Sequence, residues 1–103
     1  PMEKRTPHFR LEAIQATVAS KGRLCFTASA RMGADAMGLA PPDSLAAIAG
    51  LTARCFRKSM TTYADHRVWQ DVYIAQTPAG DAYVKFTMRS DGSVVISFKR
   101  VEP

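Results

Sequence analysis

Hydrophobic and polar positions alternate with one period in the first half of the chain and another in the second. Leu11, Ile14, Gln15 and Val18 fall at i, i+3, i+4 and i+7. That spacing predicts one face of a short amphipathic helix, with Ala13, Ala16 and Ala19 as good helix formers. Lys21-Gly22 supplies a cation in the last turn and a left-handed stop. Ahead of it, residues 2–9 are polar, carry Pro7 and read as an irregular lead-in. Residues 23–27 (RLCFT) are short, aromatic and β-branched, and are expected as a strand at the sheet edge. Ser29 is the expected cap of a second helix running to Met37, with Gly38 ending it. Pro41-Pro42-Asp43 then breaks the chain, and Asp43 or Ser44 caps a third helix through Leu45 and Ile48 to Gly50.

From Cys55 onward the period changes to two. Residues 56–62 and 68–76 are expected strands joined by a polar connection, and residues 78–81 (PAGD) turn the chain. Residues 82–89 and 94–100 form a final hairpin. Helices first and an antiparallel meander after them predict an α+β fold with the helices on one face of the sheet. No internal repeat, low-complexity tract or linker interrupts the chain, so residues 1–103 are expected to form one small domain with one core.

The hairpin pattern fixes a register. Ala82, Val84, Phe86 and Met88 make one face of the first strand; Val94, Ile96 and Phe98 make one face of the second. Directly opposed residues share a face. A two-residue loop at Asp91-Gly92 would pair Lys85 with Phe98 and mix the faces. A three-residue loop, Ser90-Asp91-Gly92 with Gly92 left-handed, pairs Val84 with Phe98 and Phe86 with Ile96. Tyr83 then lies opposite Lys99, and Lys85 opposite Ser97. A phenol and two ammonium groups are thereby expected together on a solvated face. Gln70 fits less well, because alternation aligns it with Val72 and Ile74 on what reads as a core face. A bulge near the start of its strand would free it.

Composition narrows the chemistry. Fourteen Lys and Arg against nine Asp and Glu give a net charge of +5, which suits a phosphate backbone or an acidic protein partner. No apolar run approaches the roughly 20 residues of a membrane helix, no signal peptide is expected, and Pro1 ahead of Met2 reads as a leftover of cloning. Cys25 and Cys55 are too few for a disulfide framework and read as free buried thiols of a reducing cytoplasm. His8 and His66 have no metal-ligand spacing, and no nucleophile elbow, P-loop or dinucleotide motif is present, so no metal and no cofactor are expected.

What remains is a sheet face of Lys, Arg, Tyr and Gln. RNA carries its own nucleophile in the 2′-OH, so such a face has only to orient it, stabilise charge on the phosphorane and move protons. A phenol beside ammonium groups suits the last task. Trp69 and Phe56 read as core residues, with base stacking as the alternative. His66 reads as a loop hydrogen-bonder or an RNA contact, Tyr63 and Tyr73 as packing with a wet hydroxyl, and Asp65 and Asp71 as carboxylates that orient nearby cations. Two other functions fit the same residues: a basic RNA-binding module without catalysis, and a protein-interaction module acting only through a partner.

A resemblance weighs between these. The opening block MEKRTPH (residues 2–8) and the block FRKSMTTYADHRVWQDVY (residues 56–73) resemble the motility quorum-sensing regulator (MqsR) toxins, and the likeness continues through Tyr83-Val84-Lys85 and residues 95–99 (VISFK). The resemblance implies a RelE-like fold and a ribosome-independent mRNA endonuclease favouring GCU-type sites in the bacterial cytoplasm. It implies catalytic roles for Lys58, Gln70, Tyr83 and Lys99; beside them, Lys85, His66 and Arg89 are expected to make substrate contacts. It further implies a cognate antitoxin, with a zinc-binding domain joined to a helix-turn-helix domain, through which alone this chain would touch DNA.

Overall fold

The computed structural model describes residues 1–102. The first helix, α1 (Leu11–Lys21), forms where the apolar period predicts it; Ile14 and Val18 are buried and Gly22, at φ 60°, ends it. The polar member of its inner face has a use. The Gln15 side-chain amide donates to the carbonyls of Ile48 (3.1 Å), Ala49 (3.2 Å) and Leu51 (2.9 Å), which fastens α1 to the end of the third helix.

Residues 23–27 are not a strand. Gly22–Cys25 is a 3-10 turn, and Phe26 alone reaches the sheet through a single parallel bridge to Ile96. Cys25 and Phe26 are both buried there. Helix α2 (Ala28–Ala36) begins two residues earlier than a cap at Ser29 would place it, because Thr27 Oγ1 accepts the Ala30 N–H (3.0 Å). Helix α3 (Pro41–Ala49) also starts earlier. Its two prolines open it rather than break the chain, since the first helical positions need no donated N–H. Asp43 lies inside the first turn and accepts from the Ala40 N–H (3.3 Å).

The five strands are β1 (Glu3–Lys4), β2 (Phe56–Thr61), β3 (Trp69–Thr77), β4 (Gly80–Met88) and β5 (Val94–Arg100), antiparallel in the order β1-β2-β3-β4-β5. The lead-in is therefore partly ordered into the sheet: Glu3 pairs with Met60 and Lys4 with Ser59. The β4–β5 register is the expected one, with Tyr83 opposite Lys99, Val84 opposite Phe98 and Lys85 opposite Ser97. Arg89 N–H donates to the Ser93 carbonyl (2.8 Å) across a loop of residues 90–92, and Gly92 carries φ 86°.

All three helices cover one face of this sheet. Tyr73, Ala75, Ala82, Val84, Phe86, Val94, Ile96 and Phe98 meet Ile14, Val18, Ala30, Ala34 and Ile48 there in one buried cluster. At Gly33 a Cβ would overlap the carbonyl oxygen of Phe98, so α2 lies directly on the backbone of β5.

The same face continues as polar ground beneath the lead-in. Asp71 is 1% exposed, and its carboxylate accepts from the backbone N–H groups of His8 (2.9 and 3.0 Å) and Phe9 (2.9 Å). No ion pair forms at Asp71 among the described residues. It anchors a segment of main chain and does not orient a cation, as the sequence had led us to expect. Asp65 does hold a cation, at 3.1 Å from Arg67. Tyr63, expected to pack, is exposed, while the Tyr73 ring is buried and its hydroxyl is pushed up to about 12, mainly by that burial.

Candidate active site

The face opposite the helices is open, and the strand register arranges it in rows. Lys58 lies opposite Val72, Val72 opposite Lys85 and Lys85 opposite Ser97, making one row across four strands. On one side the next row holds Ile74, Tyr83 and Lys99. On the other side the next row holds Met60 opposite Gln70, and Thr87 opposite Val95.

This corrects the reading of Gln70. It does share a face with Val72 and Ile74, but that face is the open one; Asp71, Tyr73 and Ala75 point to the helices. Val72 is buried beneath its neighbours yet lies outside the main core cluster. Nor does the bulge lie at the start of β3. It lies in β2, between Phe56 and Lys58. Strict alternation would put Phe56 and Lys58 on the same side. The extra residue, Arg57, turns Phe56 to the core, where its ring meets Tyr73 edge-on at 5.5 Å, and leaves Lys58 on the open face. The bulge frees the lysine, whereas Gln70 needs none.

A cavity of about 460 Å³ is lined by Lys58, Tyr83, Lys85 and Lys99, with Ser97 and with Ser29 from the start of α2. Three of the four residues expected to be catalytic, and the expected steering lysine, thus share one hollow. Gln70 stands in the adjoining row and lines a second cavity of about 620 Å³ together with Arg89. His66 stands exposed in the loop between β2 and β3 and lines neither.

One partner was not legible in the sequence. Lys58 Nζ bonds Glu3 Oε1 at 2.8 Å, and this contact holds the Glu3 carboxyl below its ordinary value. The pair forms because β1 docks beside β2. It is half exposed, so it contributes little stability, but it fixes the direction of the lysine before a substrate arrives. A phosphate entering the cavity competes with Glu3 for the same ammonium. Lys85 and Lys99 have no ion-pair partner among the described residues. The site is therefore a shallow, cation-rich hollow with a phenol and hydroxyls at its wall and an apolar floor at Val72. Such a surface can bind a phosphodiester and stabilise negative charge growing on it.

The hollow lies on the bare face of an antiparallel sheet backed by three helices. The family model described as "Motility quorum-sensing regulator, toxin of MqsA" matches residues 6–100, and the chain belongs to that family. Among curated relatives, the mRNA interferase toxin MqsR of Escherichia coli (strain K12) is 44% identical over 98 residues, covering 95% of this chain and 98% of that protein.

Proposed function

We propose that the protein is the toxin of a toxin–antitoxin pair and acts as an mRNA endoribonuclease that needs no ribosome. The observation that carries this is the hollow where Lys58, Tyr83, Lys85 and Lys99 converge on an open sheet face, in a chain 44% identical to an mRNA interferase. In this reading the substrate 2′-oxygen attacks its own phosphorus, the P–O5′ bond breaks, and a cyclic phosphate and a 5′-hydroxyl result. Lys58 and Lys99 stabilise the charge on the phosphorane, each such donor contributing about 3–4 kcal/mol by analogy with oxyanion holes. Tyr83 moves a proton, Gln70 positions the nucleotide from the adjoining row, and Lys85 steers the strand in. Arg89 and His66 add contacts beyond the reacting phosphate.

The rest of the reading follows the family. The fold is RelE-like, the preferred sites are of GCU type, and the protein works in the bacterial cytoplasm. The partner is an antitoxin with a zinc-binding and a helix-turn-helix domain, which carries any contact with DNA. No helix among the described residues is long and apolar enough to cross a membrane. The test is incubation of purified protein with a defined mRNA in EDTA, with the new ends mapped. Cleavage that leaves 2′,3′-cyclic phosphates is expected. Binding without new ends would make the protein an RNA-binding module, neither binding nor cleavage would make it a protein-interaction module, and cleavage restored only by a divalent ion would overturn the mechanism.

A further inference from the structure

The cavity beside the catalytic hollow contains a stacked pair that the mechanism above does not use. The His8 imidazole lies over the Trp69 indole, centroids 5.3 Å apart and planes 12° from parallel. Lys4 Nζ is 4.4 Å from the indole centroid and 2.8 Å from His8 Nδ1. Because the ammonium touches the imidazole, both lie over the same indole face, and no second ring or cation covers the other face among the described residues. An ammonium can only donate, so His8 Nδ1 accepts and the ring proton is on Nε2. His8 is accordingly held neutral, first by partial burial and then by the nearby Lys4 charge, both of which lower its proton affinity. The stack is braced from behind, since Asp71 fastens the His8 and Phe9 backbone to β3.

Around this platform the cavity of about 620 Å³ is lined by Gln70, Thr62, Thr87, Arg67 and Arg89, and by no carboxylate among the described residues. Arg67 is committed to Asp65, but Arg89 has no ion-pair partner among the described residues. The position matters as much as the composition. Met60, Val72, Lys85 and Ser97 line the catalytic hollow; two residues along each strand, Thr62, Gln70, Thr87 and Val95 line this one. Two strand residues on one face are about 7 Å apart, so this row lies within reach of a neighbouring nucleotide. Trp69, opposite Thr61, stands on the other face at the very start of β3, where the cavity reaches around the end of the sheet to both. A flat ring pair, an amide and hydroxyls for base edges, and a free guanidinium for phosphate are the parts with which proteins grip single-stranded RNA.

We infer that this cavity is a base-binding subsite, in which the nucleobase next to the cleaved phosphate stacks on the Trp69–His8 pair while Gln70 and Arg89 hold its edge and phosphate. The inference rests on the reading of the open face as an RNA-cleaving surface. It makes Trp69 and His8 substrate-binding residues and the determinants of which phosphate enters the hollow.

Trp69 is the only tryptophan in the chain, so its emission reports on the subsite directly. The wild-type protein is titrated with a short single-stranded RNA made uncleavable by 2′-O-methyl groups and labelled at one end. Binding followed by label anisotropy should coincide with saturable quenching of Trp69. Removing the base at one position should abolish the quenching and weaken binding about 5- to 150-fold, the worth of one stacked base; removing bases elsewhere should do neither. Trp69→Leu should raise KM for mRNA by a similar factor and redistribute the cleavage sites, with Trp69→Phe closer to wild type. If the leucine variant fails to fold, the wild-type titration decides alone. A strand that binds without changing Trp69 emission, with no base-removed position standing out, overturns the subsite while cleavage of mRNA leaves the catalytic reading intact. Failure to bind the strand together with failure to cut mRNA overturns both.

Discussion

On the helix-covered side of the sheet, Tyr73, Val84, Phe86, Ile96 and Phe98 are closed in by α1, α2 and α3. One residue along the same strands, Tyr83, Lys85 and Lys99 stand open with Val72 beneath them. The covered face gains free energy by excluding water, about 25 cal/mol per Å² of apolar surface. The open face keeps its charges hydrated, so three lysines gather there at small cost. A third region lies between these regimes. Ser59, Thr61 and Asp71 face the helix side but are roofed by the lead-in, and they are buried because main-chain groups satisfy them: Thr61 Oγ1 accepts from the Met2 N–H (2.8 Å), and Asp71 from His8 and Phe9. Substitutions on the open face should thus alter function and spare the fold, and those on the covered face should do the reverse.

The largest effect is expected on the open side. Tyr83→Phe removes one oxygen from a half-exposed ring; it should leave thermal stability unchanged and slow mRNA cleavage about 10²-fold or more, the low end of general acid–base contributions. In the proposed mechanism its cross-strand neighbour Lys99 serves the same transition state, so the Tyr83→Phe/Lys99→Ala protein should lose less than the product of the single losses. Full activity of the phenylalanine variant, or strictly multiplicative losses, would reduce the pair to surface neighbours.

On the covered side, Gly33→Ala should destabilise by about 1–3 kcal/mol, the usual cost of overpacking, because the new methyl group meets the Phe98 carbonyl. The urea midpoint reads this. A variant as stable as wild type would mean that α2 does not lie on β5 as closely as described. Because Lys99 follows Phe98, a displaced β5 should also lower activity, the one place where the two faces are expected to communicate.

A smaller change tests the charge of the open face alone. Lys85→Ala should flatten the slope of log affinity against log salt for RNA by about one unit, with the fold intact. An unchanged slope would remove Lys85 from the interface.

The smallest effect belongs to the lead-in. His8 binds a proton less readily in the fold than its ordinary value of 6.5, so the unfolded chain takes up more protons on acidification. Its contribution is present above pH 6.5 and is lost as pH falls through the lower folded value. His8 is exposed, so the loss should be slight. The difference in melting temperature between wild type and His8→Gln should shrink below pH 6.5, and a difference independent of pH would mean that the imidazole is not held neutral.

Local pattern determined a good deal here. Ile14 and Val18 set the buried stripe of α1, and the β4–β5 register followed from requiring Val84, Phe86, Ile96 and Phe98 to share a face across a loop ending in Gly92. Both depend on residues close in sequence and on a fixed period. The phase of β3 did not follow. Alternation groups Gln70 with Val72 and Ile74, but Val and Ile suit a core and an open face alike, and only the docking of the helices on Tyr73 and Ala75 decides which side is covered. The bulge at Arg57 leaves no mark in composition, because it resolves a conflict between Phe56 seeking Tyr73 and Lys58 seeking water, groups 17 and 14 positions from their partners Tyr73 and Val72. The burial of Asp71 was equally hidden. A carboxylate in a strand reads as a solvated charge until a segment more than 60 residues away supplies the N–H groups that satisfy it, and contacts over such separations are made by the assembled fold and not by any stretch of the chain alone.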